Sequence, residues 1–238
     1  RQADAHQRPC CAHAALLQGD PGRTCRAGDR LTRMAARAAA LVVHDLKNEL
    51  GALEAGLRQL AMHPEAAKAA AAHAQCRDLR QRLMSFLTIY GHDGELRAIC
   101  EDESPAEVLQ ALHDRGLERA GRIALCLRPM TDLPAIWFFD RRLVLMALEA
   151  ALHNALRFAC SAVWLGARVD DFRRLVFVIE DDGPGLGSAD AEAAASTGLG
   201  TDLCRAVGMA HGMPSGESAV SLNNRPEGGA RFELRLPI

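Results

Sequence analysis

Three groups of residues in the C-terminal half could do chemistry together. The first is Asp182-Gly183-Pro184-Gly185-Leu186-Gly187, directly after the apolar run Leu175-Val176-Phe177-Val178-Ile179. A carboxylate at a strand end can accept a hydrogen bond from an exocyclic amine, and glycines beside it let the backbone pass close to a flat ring. On its own the loop also reads as a tight turn, since Asp-Gly and Pro-Gly are ordinary turn dipeptides. The second group is Ser196-Thr197-Gly198-Leu199-Gly200, which opens a helical pattern. Amides exposed at a helix N-terminus attract phosphate, although a hinge before a helix would have the same composition. No GxxxxGK[ST] loop occurs anywhere in the chain. The third group is Asn154 with Arg157, three residues apart and so on one helix face. An amide oxygen can ligate Mg²⁺ and a guanidinium can meet phosphate oxygens; a solvated polar face is the plainer account of this pair alone.

Far upstream, His44 is followed by Asp45 and, one turn on, by Asn48. Asp45 can orient or deprotonate the imidazole, leaving a ring nitrogen to attack phosphorus, and Asn48 shares the face of His44, where it could hold a water. A lone surface histidine usually does nothing, so this reading draws its force from the groups downstream.

The elements that must position these residues are legible in the apolar spacing. Ala39, Val43, Leu46, Leu50, Leu53, Leu57 and Leu60 follow alternating steps of four and three, a heptad seam on one helix. His44 lies one step off the seam and is expected to face solvent. Met62-His63-Pro64-Glu65 breaks the pattern, and Ala72, Cys76, Leu79, Leu83, Phe86 and Tyr90 resume it. The two helices form an antiparallel hairpin, and one hairpin cannot cover its own seam. A homodimer through residues 31–91, as a four-helix bundle, is therefore expected. Residues 1–30 have no clear period and read as a disordered or irregular tail; Gly91-His92-Asp93-Gly94 marks the domain boundary.

Beyond it, Ser104-Pro105 opens a helix to about Ala120, and Asp140 to Phe158 is a long helix. A further helix runs from about Leu199 to His211. Arg122–Leu127, Ala135–Phe139, Ala162–Val169, Arg174–Glu180 and Ala230–Leu236 read as strands. A run of antiparallel strands with helices gathered on one face makes an α+β sandwich over residues 95–238.

Composition excludes several classes. With 28 basic and 30 acidic residues, nothing points to nucleic acid or an anionic membrane surface as partner. The apolar stretch Ala35–Val43 is too short to span a bilayer, and the chain reads as cytoplasmic. The eight cysteines are mostly scattered singly in apolar segments and read as reduced, buried thiols.

Taken in order, "DRRLVLMALEAALHNALRFA", "EDDGPGLG", "STGLGTDLCRAVGMAHG" and "GGARFELRLP" resemble the GHKL ATPase family, and match the N, G1 and G2 boxes of histidine kinases in order and rough spacing. "HDLKNEL" is similar to the H-box of those kinases. The resemblance implies a two-component sensor histidine kinase core that uses ATP and Mg²⁺. It places Asp182 on adenine, Asn154 on Mg²⁺ and Arg157 on the phosphates, with Gly183, Gly185, Gly198, Leu199 and Gly200 shaping the pocket and lid. It makes His44 the phosphate acceptor, with Asp45 and Asn48 beside it, and a response regulator receiver domain the partner that takes the phosphoryl group on an aspartate. Asp45-x-x-Asn48 also resembles the motif that gives many such kinases phosphatase activity. No sensor segment is apparent, so the signal is expected from a separate upstream protein or from a segment missing from this sequence.

The chain departs from the family pattern at three places. Glu49 stands where the H-box usually has proline, which predicts a straighter helix. Ala150 stands where an acid, amide or histidine normally faces the metal, and Glu149 is rotated about 100° away from that position. The lid, Gly187 to Thr197, holds no Phe, Lys or Arg. These departures keep open a relay protein with a weak ATPase domain, or a scaffold that binds a regulator without transfer. A serine-directed kinase of the same ATPase family does not account for the hairpin.

Overall fold

The computed structural model describes residues 43, 44, 46–90, 96–129, 133–187, 198–214 and 217–237. The expected tail (1–30), Asp45, the 91–94 boundary and lid residues 188–197 lie outside the described residues. Val42–Ile238 forms one compact unit.

Helix α1 (residues 46–62) runs without a break through Glu49, as expected where no proline interrupts the backbone ladder. The chain turns at 63–65 and enters α2 (Ala66–Tyr90). Leu53 and Ala72 are buried, and Arg82 of α2 pairs with Glu49 of α1 across the hairpin. Part of the seam stays open: Val43, Leu50 and Leu57, one heptad apart, are 51%, 52% and 48% exposed. The far end of α2 packs against the sheet domain instead. There the Thr88 hydroxyl reaches the Met146 sulfur at 3.3 Å, and Ile89 rests on the core.

In that domain α3 (Pro105–Ala120) starts where Ser104 accepts the Glu107 amide, with proline in the first turn. Helix α4 (Arg141–Phe158) starts at Asp140, whose Oδ1 accepts the Leu143 amide at 2.9 Å. Its other oxygen accepts the Ile99 amide at 3.0 Å, tying the incoming chain to the helix start. Helix α5 (Leu199–Ala210) follows the second glycine group.

Strands β1 (Glu101–Glu103) and β3 (Trp137–Phe139) make a small antiparallel pair. The main sheet contains β2 (Ala124–Leu127), β4 (Ala162–Val169), β5 (Leu175–Asp181), β6 (Val220–Asn224) and β7 (Ala230–Leu236) in the order β2-β4-β5-β7-β6. The expected all-antiparallel run is corrected at one place. β2 pairs with β4 in parallel, because α4 lies between them in the chain and carries it back to the same end. The helices cover one face, where Val163, Leu165, Phe177, Leu234 and Leu236 meet Leu109, Leu112, Leu143 and Leu148, all fully buried. Each such side chain contributes about 1.5–3 kcal/mol by leaving water. The other face is a charge lattice: Glu180 is gripped by Arg128 and Arg231, and Glu233 by Arg168 and Arg235. The described thiols are free, as expected, but only Cys204 of them is buried, while Cys76 and Cys160 are exposed.

His211 joins α5 to the start of α4. Its Nδ1 donates to the Val207 carbonyl at 2.7 Å, and its Nε2 accepts the Asp140 amide at 3.0 Å, a pattern only neutral imidazole can satisfy. Burial lowers its pKa, outweighing the Val207 bond and the Asp140 charge. The unfolded chain therefore binds the extra proton first. Stability should be full above about pH 6.5 and fall as pH drops toward the lowered folded value. Denaturant midpoints at pH 7.5 and 5.5 should drop more for the wild type than for His211→Gln.

Candidate nucleotide site

A cavity of about 180 Å³ opens between α4, the sheet and the start of α5. Its walls are apolar: Ala151, Ala155 and Phe158 of α4 face Ile179, Leu222 and Phe232 of the sheet. Cys204 adds to the wall as a small apolar group, its thiol pushed up to about 12 by burial. The polar exceptions include Asp181 and Asn154. A flat slot with one carboxylate on its floor suits an aromatic ring that carries an amine.

The floor carboxylate is Asp181, not Asp182, and this corrects the sequence reading. Side chains alternate along β5, so Phe177, Ile179 and Asp181 share the face toward the helices. Asp181 is 6% exposed, and its Oδ1 accepts the Gly183 amide at 2.9 Å and the Ala230 amide at 3.2 Å. Among the described residues no donor is assigned to Oδ2. Asp182 turns the other way and is consumed by structure. It accepts the amides of Cys160, Ser161 and Ala162 at 2.9–3.0 Å, and the Ser161 hydroxyl. Desolvation pulls its pKa up, but these hydrogen bonds outweigh it and hold the carboxyl far below the usual range. Counting in twos from Ile179 would have chosen Asp181.

Gly183 is required by space, since a Cβ there would stand 2.2 Å from the Phe158 carbonyl. Gly185 lines the cavity at φ 79°, and the next amide, of Leu186, donates to Asn224 Oδ1 at 2.6 Å. The glycine loop is thus pinned between the end of α4 and β6.

A second, smaller cavity of about 40 Å³ lies along the same α4 face. Asn154 lines both. Around the smaller one are Ala150, His153 and Arg157 of α4 and residues Gly198 to Thr201 at the start of α5. Gly198 holds φ 72° and, among the described residues, no side chain caps α5, so its first-turn amides and positive dipole end suit a ligand. Gly200 sits close under α4: a Cβ there would meet the Asn154 amide nitrogen at 3.6 Å. The structure therefore brings Asn154, Arg157, Gly198, Leu199 and Gly200 together. Among the described residues no carboxylate lines this cavity, and Glu149 instead pairs with Arg115 at 2.6 Å. Among the described residues that line it, the side-chain oxygens are the neutral ones of Gln81, Ser85, Asn154 and Thr201, so a Mg²⁺ ion would have to arrive with phosphates.

His44, helical and just ahead of α1, and Asn48 of α1 belong to a separate place. Both are exposed, with Asn48 Nδ2 3.3 Å from His44 Nδ1. Sequence reasoning missed Asp181, the aromatic walls Phe158 and Phe232, Thr201, and three α2 residues at the smaller cavity, Gln81, Arg82 and Ser85. Only strand alternation could have found the first; the α2 residues arrive through tertiary packing.

Residues 139–238 match the model of the family described as histidine kinase-, DNA gyrase B-, and HSP90-like ATPase. No curated protein matches the chain in sequence. Among solved structures, the Acinetobacter baumannii histidine kinase AdeS is similar at 19% identity and TM-score 0.58, over 81% of this chain and 96% of that one. Histidine kinase ThkA, in complex with the response regulator protein TrrA, is similar at 17% identity and TM-score 0.62, over 88% of this chain and 63% of that one. Full-length ShkA in complex with AMPPNP is similar at 19% identity and TM-score 0.54, over 85% of this chain and 45% of that one. At these identities the likeness is one of fold.

Proposed function

We propose that this chain, which has the fold of the sensor histidine kinases and carries in residues 139–238 a domain of the histidine kinase-, DNA gyrase B- and HSP90-like ATPase family, is an ATP-dependent protein-histidine kinase that phosphorylates His44 and passes the phosphoryl group to an aspartate of a response regulator. One observation carries the reading. The apolar slot floored by Asp181 continues through Asn154 into a cavity ringed by uncapped helix amides and Arg157. That is a site for a base and a site for phosphates, joined by one amide side chain.

In this reading Asp181 accepts the exocyclic amine of adenine while Phe158 and Phe232 border the ring. The α5 amides and Arg157 meet the phosphates, where a preorganised positive field offsets the charge of phosphoryl transfer. Asn154 holds Mg²⁺, which supplies further charge neutralisation when bound. The bond from His44 Nε2 to the γ-phosphorus forms as the bond from phosphorus to the bridging oxygen breaks, and ADP leaves. Attack from Nε2 needs the proton on Nδ1, and Asn48, turned so that its amide oxygen faces the ring, would hold it there. Asp45 takes that proton afterwards. The same Asp45 and Asn48 would serve a phosphatase reaction on the regulator by placing a water.

The half-exposed heptad positions Val43, Leu50 and Leu57 support a homodimer through residues 31–91. Residues 95–238 are the catalytic domain and 1–30 a tail. Among the described residues no helix is long and apolar enough to cross a membrane, and we place the kinase in the cytoplasm, fed by a separate sensor protein. A relay role in which phosphate comes from another regulator is favoured by Ala150 and by the lack of a carboxylate among the described residues that line the smaller cavity. Incubation with γ-labelled ATP and Mg²⁺ separates the two. The wild type should take up acid-labile label and His44→Ala none; an unlabelled wild type sinks the autokinase reading.

A further inference from the structure

The smaller cavity has a wall that the ATPase fold does not provide. Gln81, Arg82 and Ser85 of α2 face Asn154, Arg157 and the start of α5. Ser85 is buried with its hydroxyl spent on the Gln81 carbonyl at 3.0 Å. Arg82 is the cation α2 brings to this wall. Its side chain is 24% exposed and is held by Glu49, 39% exposed, at the position where similar kinases carry proline. An ion pair that open to water is worth only about 0.2–1 kcal/mol, so a dianionic phosphate can displace it.

Among the described residues that line the cavity there is no carboxylate. Asp78 approaches His153 at 3.7 Å, but it does not line the cavity. Burial, and then the charges of Arg157, Arg119 and Arg82, lower the His153 pKa against the pull of Asp78, so several cations already converge there. The terminal phosphate meanwhile lacks the cation that a lid would normally bring, because Gly187 to Thr197 contains no Lys or Arg.

We infer that Arg82 is a catalytic residue of the proposed transfer: it leaves Glu49 and meets the terminal phosphate of bound ATP, supplying from the hairpin the charge that the lid lacks. The guanidinium fork suits two phosphate oxygens at once. It moves no proton; it offsets charge on the oxygens as the His44 nitrogen bonds to phosphorus and the bridging oxygen departs with ADP. Glu49 positions Arg82 while no triphosphate is bound.

The inference rests on the kinase reading, and its test is built so that the two fail separately. Binding of AMPPNP and of ADP is measured for wild type, Arg82→Ala, Arg82→Lys and Glu49→Gln, with label uptake from γ-labelled ATP alongside. Arg82→Ala should lose about tenfold in AMPPNP affinity with ADP unchanged, and about a hundredfold in labelling rate at saturating ATP. Arg82→Lys, which keeps the charge without the fork and guards against a misfolded alanine variant, should fall between. Glu49→Gln frees Arg82 and should raise the rate by a few-fold, the reach of such a pair. If Arg82 only ties the hairpin, Arg82→Ala and Glu49→Gln will fall together in rate and melting temperature, and the inference is overturned. Equal losses for AMPPNP and ADP overturn it too. A wild type that never labels, yet loses AMPPNP preference on Arg82→Ala, sinks the kinase reading and keeps Arg82. A wild type that binds neither nucleotide ends both.

Discussion

Asp181→Asn is expected to weaken ATP binding by about ten- to a hundredfold, the 1.5–3 kcal/mol of one hydrogen bond to a charged acceptor. The substitution keeps Oδ1 for the amides of Gly183 and Ala230. It replaces Oδ2 with an amide nitrogen, which turns a donor toward the donor of adenine. Asp182→Asn should do the opposite. Its carboxylate gathers three amides and a hydroxyl from residues 160–162, away from the slot. Loss of the charge there should cost about 1–3 kcal/mol of stability with ATP affinity near wild type. The Asp182 contribution also has a defined pH range. The folded pKa is depressed by its donors, so the stabilisation is present above the unfolded value near 3.9 and is lost only as pH falls toward the folded one. Calorimetric titration with ATP and denaturant midpoints read the two variants. If Asp182→Asn loses ATP and Asp181→Asn keeps it, the adenine contact returns to Asp182.

The one-residue difference between these aspartates shows where sequence reasoning reaches its end. Motif order located the loop, but a motif does not state which of two adjacent carboxylates faces inward; strand alternation does. Elements with their own signals were legible. Ser104-Pro105 and Asp140 cap the helices where expected, and β4 and β7 have the expected bounds because their apolar alternation is unbroken. Strands β1 and β6 were not legible. Glu101-Asp102-Glu103 has no strand propensity and owes its conformation to pairing with Trp137–Phe139. Val220–Asn224 ends in two asparagines and is an edge strand held by β7 alone. Arg82 lies outside local pattern altogether. Its heptad place says nothing of the cavity, which exists only because α2 packs on α4 and α5.

Gly229→Ala should be the most damaging single-methyl change in the sheet domain, and it should damage stability and binding together. Gly228 and Gly229 turn the chain from β6 into β7 at φ 94° and 88°, where any side chain is strained. Around Gly228 a Cβ would meet nothing within 4 Å. At Gly229 it would stand 1.9 Å from the Asp181 carbonyl oxygen and 2.7 Å from its carbon. That carbonyl also accepts from Arg225 Nη1 at 2.7 Å, so it cannot retreat without breaking a part-buried bond. Gly228→Ala thus reports backbone strain alone, about 1–2 kcal/mol, whereas Gly229→Ala adds a clash and should exceed about 3 kcal/mol, lowering Tm by roughly 10 °C. Because the displaced carbonyl belongs to Asp181, ATP affinity should fall in Gly229→Ala and hold in Gly228→Ala. Should the two variants melt together and bind alike, the floor of the slot yields without cost, and the adenine contact is set by something other than the close seating of β7 on the end of β5.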